Sequence, residues 1–313
     1  MSEGTLPQAL NRPAMGVLFI VIAMVAISVN DVLIKMLSGG YPLHQIVFIR
    51  SGIGIVFTLM IVQYEGGFRI LRTQTPWLQA TRGMLIVLSN LTYFTALAVV
   101  PLAEATALFF IAPLMITLLS IPFLGERVGI YRLGAVVIGF VGMVFVLRPW
   151  ESTAERGVAL IILALPAISA LTYAANQILT RKLGAVSKAS ALAFYIQGMF
   201  VLVSTAFYLV AGDGAYAVGL ENESLLFLLR AWVWPEGTDW YLLIGLGVNS
   251  AVVGYGISQA YRMADASTVA PFEYVGLPLA IFWGWLFWGD SLGGSVVFGI
   301  ALIMGSATCT GES

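Results

Sequence analysis

AMGVLFIVIAMVAISVNDVLIKM, residues 14–36, is a nearly unbroken apolar run whose polar residues, Ser28, Asn30, Asp31 and Lys35, fall in its last third or so. A hydrocarbon core about 30 Å thick needs about 20 consecutive apolar residues in a helix, so this run is long enough to cross a bilayer. Its length exceeds the 7–15 residues or so of a signal-peptide core, and a retained spanning helix is expected. Similar runs, broken by charge or by Pro and Gly, predict further spans near 42–62, 77–99, 101–124 and 128–147. Five more follow near 158–183, 189–211, 240–263, 267–289 and 292–307. The expected fold class is all-α integral membrane, with ten transmembrane helices.

Composition agrees. Of 313 residues, 59% are hydrophobic and 10% charged, whereas a soluble domain carries about 25% charge. The net charge of −1 and the lack of a basic cluster exclude a nucleic-acid partner. One cysteine, Cys309, and one histidine, His44, leave no disulfide, redox pair or metal set, and no cofactor is expected. The sequence has no His-Glu-x-x-His and no Cys-x-x-Cys, and Gly245-Leu246-Gly247-Val248-Asn249-Ser250 lies inside a span rather than after a strand. An enzyme is not expected.

Asn30-Asp31-Val32-Leu33-Ile34-Lys35 recurs as Asn176-Gln177-Ile178-Leu179-Thr180-Arg181, and Leu124-Gly125-Glu126 as Trp288-Gly289-Asp290. The chain then divides into a leader 1–13, a repeat 14–148, a second repeat 149–309 with a non-spanning segment 212–239, and a tail 310–313. Five helices per half is an odd number, so the second half sits inverted. Inverted repeats are characteristic of secondary transporters, whose substrate site lies near the midplane between the repeats.

With a cytoplasmic N-terminus, the inner segments hold Arg12, Arg69, Arg72, Arg127, Arg132, Arg181, Lys182, Lys188 and Arg262. The outer segments hold only Lys35, Arg148, Arg156 and Arg230. The positive-inside rule favours both termini in the cytoplasm. Within 212–239, the run 225–234 is too short to cross, and reads as an interfacial or lid helix with Trp232 and Trp234 at headgroup depth.

Ionisable groups inside a span need a partner or a wet cavity. Asp31 and Arg50 fall at similar depth and can meet, and Lys35, four residues from Asp31, can share its carboxylate. Two readings stand: a structural ion pair, or an Arg50 fork presented to a substrate carboxylate or phosphate. Glu273, between Pro271 and Pro278, sits in a span that two prolines should break; it could hold a substrate amine or a coupling proton, or be a structural carboxyl. Glu104 reads as an outer-rim carboxylate as readily as a coupling group. Asn90, Tyr93, Tyr195, Gln197, Tyr255 and Gln259 are pore-lining candidates or interhelical glue. His44 reads as interfacial, and the stripes Ala135, Gly139, Gly142 and Ser295, Gly299 as close packing within or between protomers.

Pro101-Leu102-Ala103-Glu104-Ala105-Thr106-Ala107, Ala112-Pro113 and Leu124-Gly125-Glu126-Arg127-Val128-Gly129 resemble the EamA-type repeat of the drug/metabolite transporter superfamily. Within it, Asn30-Asp31-x-x-x-Lys35, Arg50, Arg82-Gly83 and the stretch from Met263 to Tyr274 look like the branch of S-adenosylmethionine uptake transporters and their animal solute-carrier relatives. Glu273 departs from that branch, where a basic residue can stand. The resemblance implies ten helices around a central cavity.

The expected function is secondary active transport of a small polar or zwitterionic metabolite by alternating access in a plasma or bacterial inner membrane. A receptor, sensor or enzyme that binds such a metabolite without moving it is the alternative. Asp31, Arg50, Asn90, Tyr93, Tyr195, Tyr255, Glu273 and Tyr274 are expected to bind substrate; Lys35, Glu104, Gln177, Pro113 and Pro271 to gate or couple. The partners expected are the substrate, a coupling proton or exchange substrate and the lipid bilayer, with the protein a monomer or homodimer.

Overall fold

The computed structural model describes residues 12–126, 128–148, 150 and 158–311. Most of the leader, Arg127, Arg156 and residues 312–313 lie outside them, as do the side chains of Arg132, Ala135 and Cys309. Among the described residues the chain is all α-helical and has no strand.

The helices are α1 Pro13–Leu37, α2 Leu43–Glu65, α3 Pro76–Leu97, α4 Leu102–Phe109, α5 Ala112–Leu124 and α6 Ile130–Leu147. After these come α7 Leu160–Gly184, α8 Ala189–Ala211, α9 Glu223–Leu229, α10 Asp239–Met263, α11 Ala266–Val269, α12 Gly276–Trp288 and α13 Gly294–Gly311. Among the described residues seven spans are long and apolar enough to cross a membrane, counting Leu102–Leu124 and Ala266–Trp288 as one each. Val137–Leu147 and Gly294–Gly305 are shorter apolar stretches. The 22-residue α3 is long enough but carries Gln79, Arg82 and Asn90.

Prolines set the helix starts: Pro13 and Pro76 occupy the first turn of α1 and α3, where a missing N–H costs nothing. Gly125 (φ 69°) and Gly289 (φ 65°) end α5 and α12 in the left-handed region that lacks a Cβ penalty only for glycine.

The expected continuous helix over 101–124 is broken. Phe110 and Ile111 separate α4 from α5, because Pro113 offers no N–H to Phe109 and its ring crowds that carbonyl. The span with Pro271 breaks as expected, by tightening: Ala270–Val275 is a 3-10 helix between α11 and α12. The short helix expected over 225–234 is α9, which ends earlier, at Leu229, and is N-capped by Asn222 Oδ1 accepting from the Leu225 N–H at 3.1 Å. Trp232 packs against Tyr208, Phe48 and His44, while Trp234 is exposed.

The helices pack as α1 on α10, α3 on α7, α2 on α8 and α6 on α13. Gly142 and Gly299 face each other across the last pair: a Cβ built on either would stand within 2.7 Å of the other's carbonyl oxygen. This places the small-residue stripe in packing within the chain. Side chains such as Leu18, Ile22, Met60, Leu202 and Leu209 point outward, while Asp31, Arg50, Arg82, Asn176, Gln177 and Glu273 are buried. Apolar outside and polar inside is the arrangement a lipid solvent selects.

Candidate functional site

A central cavity of about 140 Å³ is walled by α1, α2, α3 and α4 together with α7, α8, α10 and α12; no described residue of α6 or α13 lines it. One water needs about 10–15 Å³ by the same measure, so the space is on the order of ten waters. Its lining includes Asp31, Arg50, Asn90, Tyr93, Gln177 and Gln197 from the residues singled out in the sequence.

Asp31 and Arg50 share the cavity without forming an ion pair. Arg50 donates to Asn30 Oδ1 at 3.3 Å and Asn90 Oδ1 at 2.6 Å, and its guanidinium stacks 5.0 Å over Phe200 and 6.0 Å over Phe94. The Tyr93 hydroxyl reaches Asp31 Oδ2 at 3.2 Å and Thr106 Oγ1 at 2.9 Å. Lys35 does not share the Asp31 carboxylate. It donates to the carbonyls of Leu97 and Val100 at 3.3 and 2.7 Å, and lies 5.3 Å over Trp288. Those carbonyls sit at the open end of α3, where a cation is favoured.

Several candidates lie elsewhere. Glu273 is fully buried behind Tyr173: Oε1 accepts from Tyr173 at 3.2 Å and Tyr261 at 2.5 Å. Tyr274 lies tilted against Phe110 at 5.7 Å, outside the cavity lining. Tyr195 bonds the Leu71 carbonyl, and Tyr255 donates to Glu65 Oε1 at 2.9 Å. Gln259 donates to that same Tyr255 hydroxyl at 3.5 Å. Glu104 is buried rather than solvated, and pairs with Arg148 at 2.5 Å. His44 is buried too, between Phe207 at 5.8 Å and Trp232 at 5.9 Å. Pro113 and Pro271 stand at the two helix breaks.

Asn176, Gln177 and Arg82 were named from the sequence, whereas Ser89, Phe109, Ser169 and Tyr173 were not. Ser169, Tyr173, Asn176 and Gln177 form one polar stripe of α7 facing the cavity, and their i, i+4, i+7, i+8 spacing was the available signal. Ser89 and Ser169 lock α3 to α7, each hydroxyl donating to the other's carbonyl at 3.1 and 2.7 Å. Arg82 joins α3 to three helices through Thr180 Oγ1 at 2.7 Å, the Leu192 carbonyl at 2.9 Å and Ser258 Oγ at 3.5 Å. Phe109, at the break after α4, lies 5.3 Å from Tyr93 and 5.2 Å from Tyr173.

One set of contacts occurs twice. Arg181 donates to the Arg262 carbonyl at 3.3 Å and pairs with Asp265, as Lys35 binds Leu97 and Val100. After Gly125 the Glu126 N–H bonds the Ser120 carbonyl at 3.3 Å; after Gly289 the Asp290 N–H bonds the Gly284 carbonyl at 3.2 Å. The carboxylates then differ. Glu126 accepts the backbone N–H groups of Ala266 and Ser267 at 3.1 Å each, whereas Asp290 Oδ2 has no hydrogen-bond partner.

Residues 14–148 match the EamA-like transporter family. Over 98% of its length the chain is 30% identical to a riboflavin transporter of Rhizobium johnstonii, 94% of which is covered. It is 29% identical to the pseudopaline exporter CntI of Pseudomonas aeruginosa over 95% of this chain and 97% of that one. With an S-adenosylmethionine uptake transporter of Rickettsia felis it shares 25% identity, over 95% and 92% of the two chains. A solved crystal structure covers 95% of the chain and is itself covered to 96%, with a TM-score of 0.68 at 19% identity, which is a likeness of fold.

Proposed function

The chain belongs to the EamA-like transporter family, a multi-pass membrane family of small-metabolite transporters, and from that premise we propose that it works by alternating access around the central cavity. In this reading ten helices form two inverted five-helix repeats in a bacterial inner membrane, with both termini cytoplasmic. A small polar metabolite binds between the repeats. Arg50, held by neutral carboxamides and lacking a carboxylate, can take an anionic or carbonyl oxygen of the substrate, and Asp31 can release Tyr93 to do the same for a donor.

The observation that carries the reading is the unequal use of two equivalent carboxylates. If the repeats are inverted, Glu126 and Asp290 stand at opposite faces of the membrane. Glu126 ties α5 to the start of α11 across the repeats, while Asp290 leaves Oδ2 unbonded, although the matching backbone N–H groups are those of Leu102 and Ala103 at the start of α4. A latch made at one face and unmade at the other is what one state of an alternating-access cycle requires. Breaks at Phe110–Ile111 and Ala270–Val275 supply the hinges.

The test is uptake into liposomes of labelled zwitterionic, anionic, heteroaromatic and quaternary-ammonium metabolites, with and without a pH gradient. Saturable flux that is lost in Arg50→Ala, with the variant still folded, supports the reading. Ligand binding without flux of any panel member would instead establish a receptor.

A further inference from the structure

Asn176 and Gln177 lie next to each other on α7 and both line the cavity; they are 2% and 0% exposed. Asn176 Nδ2 donates to Gln177 Oε1 at 3.4 Å, which leaves Asn176 Oδ1 and Gln177 Nε2 without a hydrogen-bond partner. The nearby Tyr173 hydroxyl donates to Glu273 at 3.2 Å, and Gln177 Nε2 stands outside hydrogen-bond geometry from its neighbours. Turning both carboxamides over exchanges the two roles and still leaves one donor and one acceptor. Buried polar atoms are almost always paired, so this pair calls for a bound group.

The surroundings narrow its chemistry. The charged side chains in the lining are Asp31 on α1 and Arg50 on α2; the lining residues of α7, α8, α10 and α12 are all uncharged. An ionic group placed against α7 would therefore find no counter-charge there. The faces beside the carboxamides are aromatic, with Tyr173 and Phe109 5.2 Å apart between ring centres and Phe110 6.1 Å beyond Phe109. Aromatic walls with a few fixed polar atoms suit a flat ring system.

We propose that the α7 side of the cavity binds an uncharged, planar heterocycle whose rim carries both N–H and C=O groups, a lactam or ureide. Its N–H donates to one carboxamide oxygen, its C=O accepts from the other carboxamide nitrogen, and one of its faces lies against Tyr173 and Phe109. The inference rests on the transporter reading in taking the cavity as the substrate site.

The experiment is a fluorescence titration of the purified full chain in detergent with lumiflavin and with its N3-methyl derivative, which differs in lacking the ring N–H donor. The expected result is binding of lumiflavin at least tenfold tighter than of the methylated compound. In Gln177→Leu and Asn176→Leu the two compounds should bind alike. Equal binding of both by the unaltered protein, or binding of neither, overturns the proposal; so does discrimination that survives in both variants. The same two compounds are then followed into liposomes. Flux without discrimination removes the lactam site and leaves the transporter reading standing, whereas discrimination in binding with no flux does the reverse.

Discussion

Arg50 on α2 donates to Asn90 Oδ1 on α3 at 2.6 Å, so a buried cation at the cavity is held by a neutral carboxamide. A carboxylate in that place would neutralise the guanidinium permanently, whereas an amide positions it and leaves its charge to be met by a ligand. Asn90→Asp should therefore raise the melting temperature and lower flux at least tenfold, a difference of about 1.4 kcal/mol in the transport barrier. Asn90→Ala should lower both, by about 1–3 kcal/mol in stability, because the charged donor loses its acceptor. Thermal unfolding and uptake measured on the same preparations separate the two outcomes.

The Glu126 latch is expected to set the balance between access states. Two charge-assisted bonds to the N–H groups of Ala266 and Ser267 are lost in Glu126→Gln or Glu126→Ala. At about 1.5–3 kcal/mol for a hydrogen bond to a charged group, the closed arrangement should lose tenfold or more in population. In a Cys309→Ser background, Ser267→Cys should react with an impermeant maleimide much faster once Glu126 is replaced. Unchanged labelling would show that the contact holds nothing shut.

Asp290 should behave in the opposite sense. Asp290→Asn removes a carboxylate whose Oδ2 is unbonded here, so thermal stability should change by less than about 1 kcal/mol while the flux falls. A loss of stability as large as that of Glu126→Ala would mean that Asp290 is a structural cap only.

The phenols on Glu273 should act as a unit. Tyr261→Phe removes the 2.5 Å bond and leaves a buried carboxylate with Tyr173, at a cost of about 1–3 kcal/mol. In a Glu273→Gln background the same change should cost markedly less, which a double-mutant cycle in thermal or denaturant unfolding would read as coupling.

Gly299 faces the Gly142 carbonyl at a distance that admits no Cβ. Gly299→Val should force α6 and α13 apart, costing at least about 1–3 kcal/mol by overpacking and lowering the melting temperature. Gly245→Ala, where nothing stands within 4 Å, is the matched control.

The amino-acid sequence by itself determined the solvent, the helices and most of their limits. Each followed from local facts: run length against bilayer thickness, proline at helix starts, and glycine after Leu124 and Trp288. The paired motifs at Lys35 and Arg181 were equally legible, since residue type and spacing suffice to see them. What the tertiary structure alone decided was which polar group meets which. Arg50 stands at the depth of Asp31, yet side-chain direction and the position of α3 give its bond to Asn90, and Lys35 turns to the carbonyls of Leu97 and Val100. Depth along a helix is fixed by 1.5 Å per residue; rotation about its axis against its neighbours is not. Glu273, Tyr195 and Tyr255 left the cavity for that reason, and the α7 stripe of Tyr173, Asn176 and Gln177 entered it.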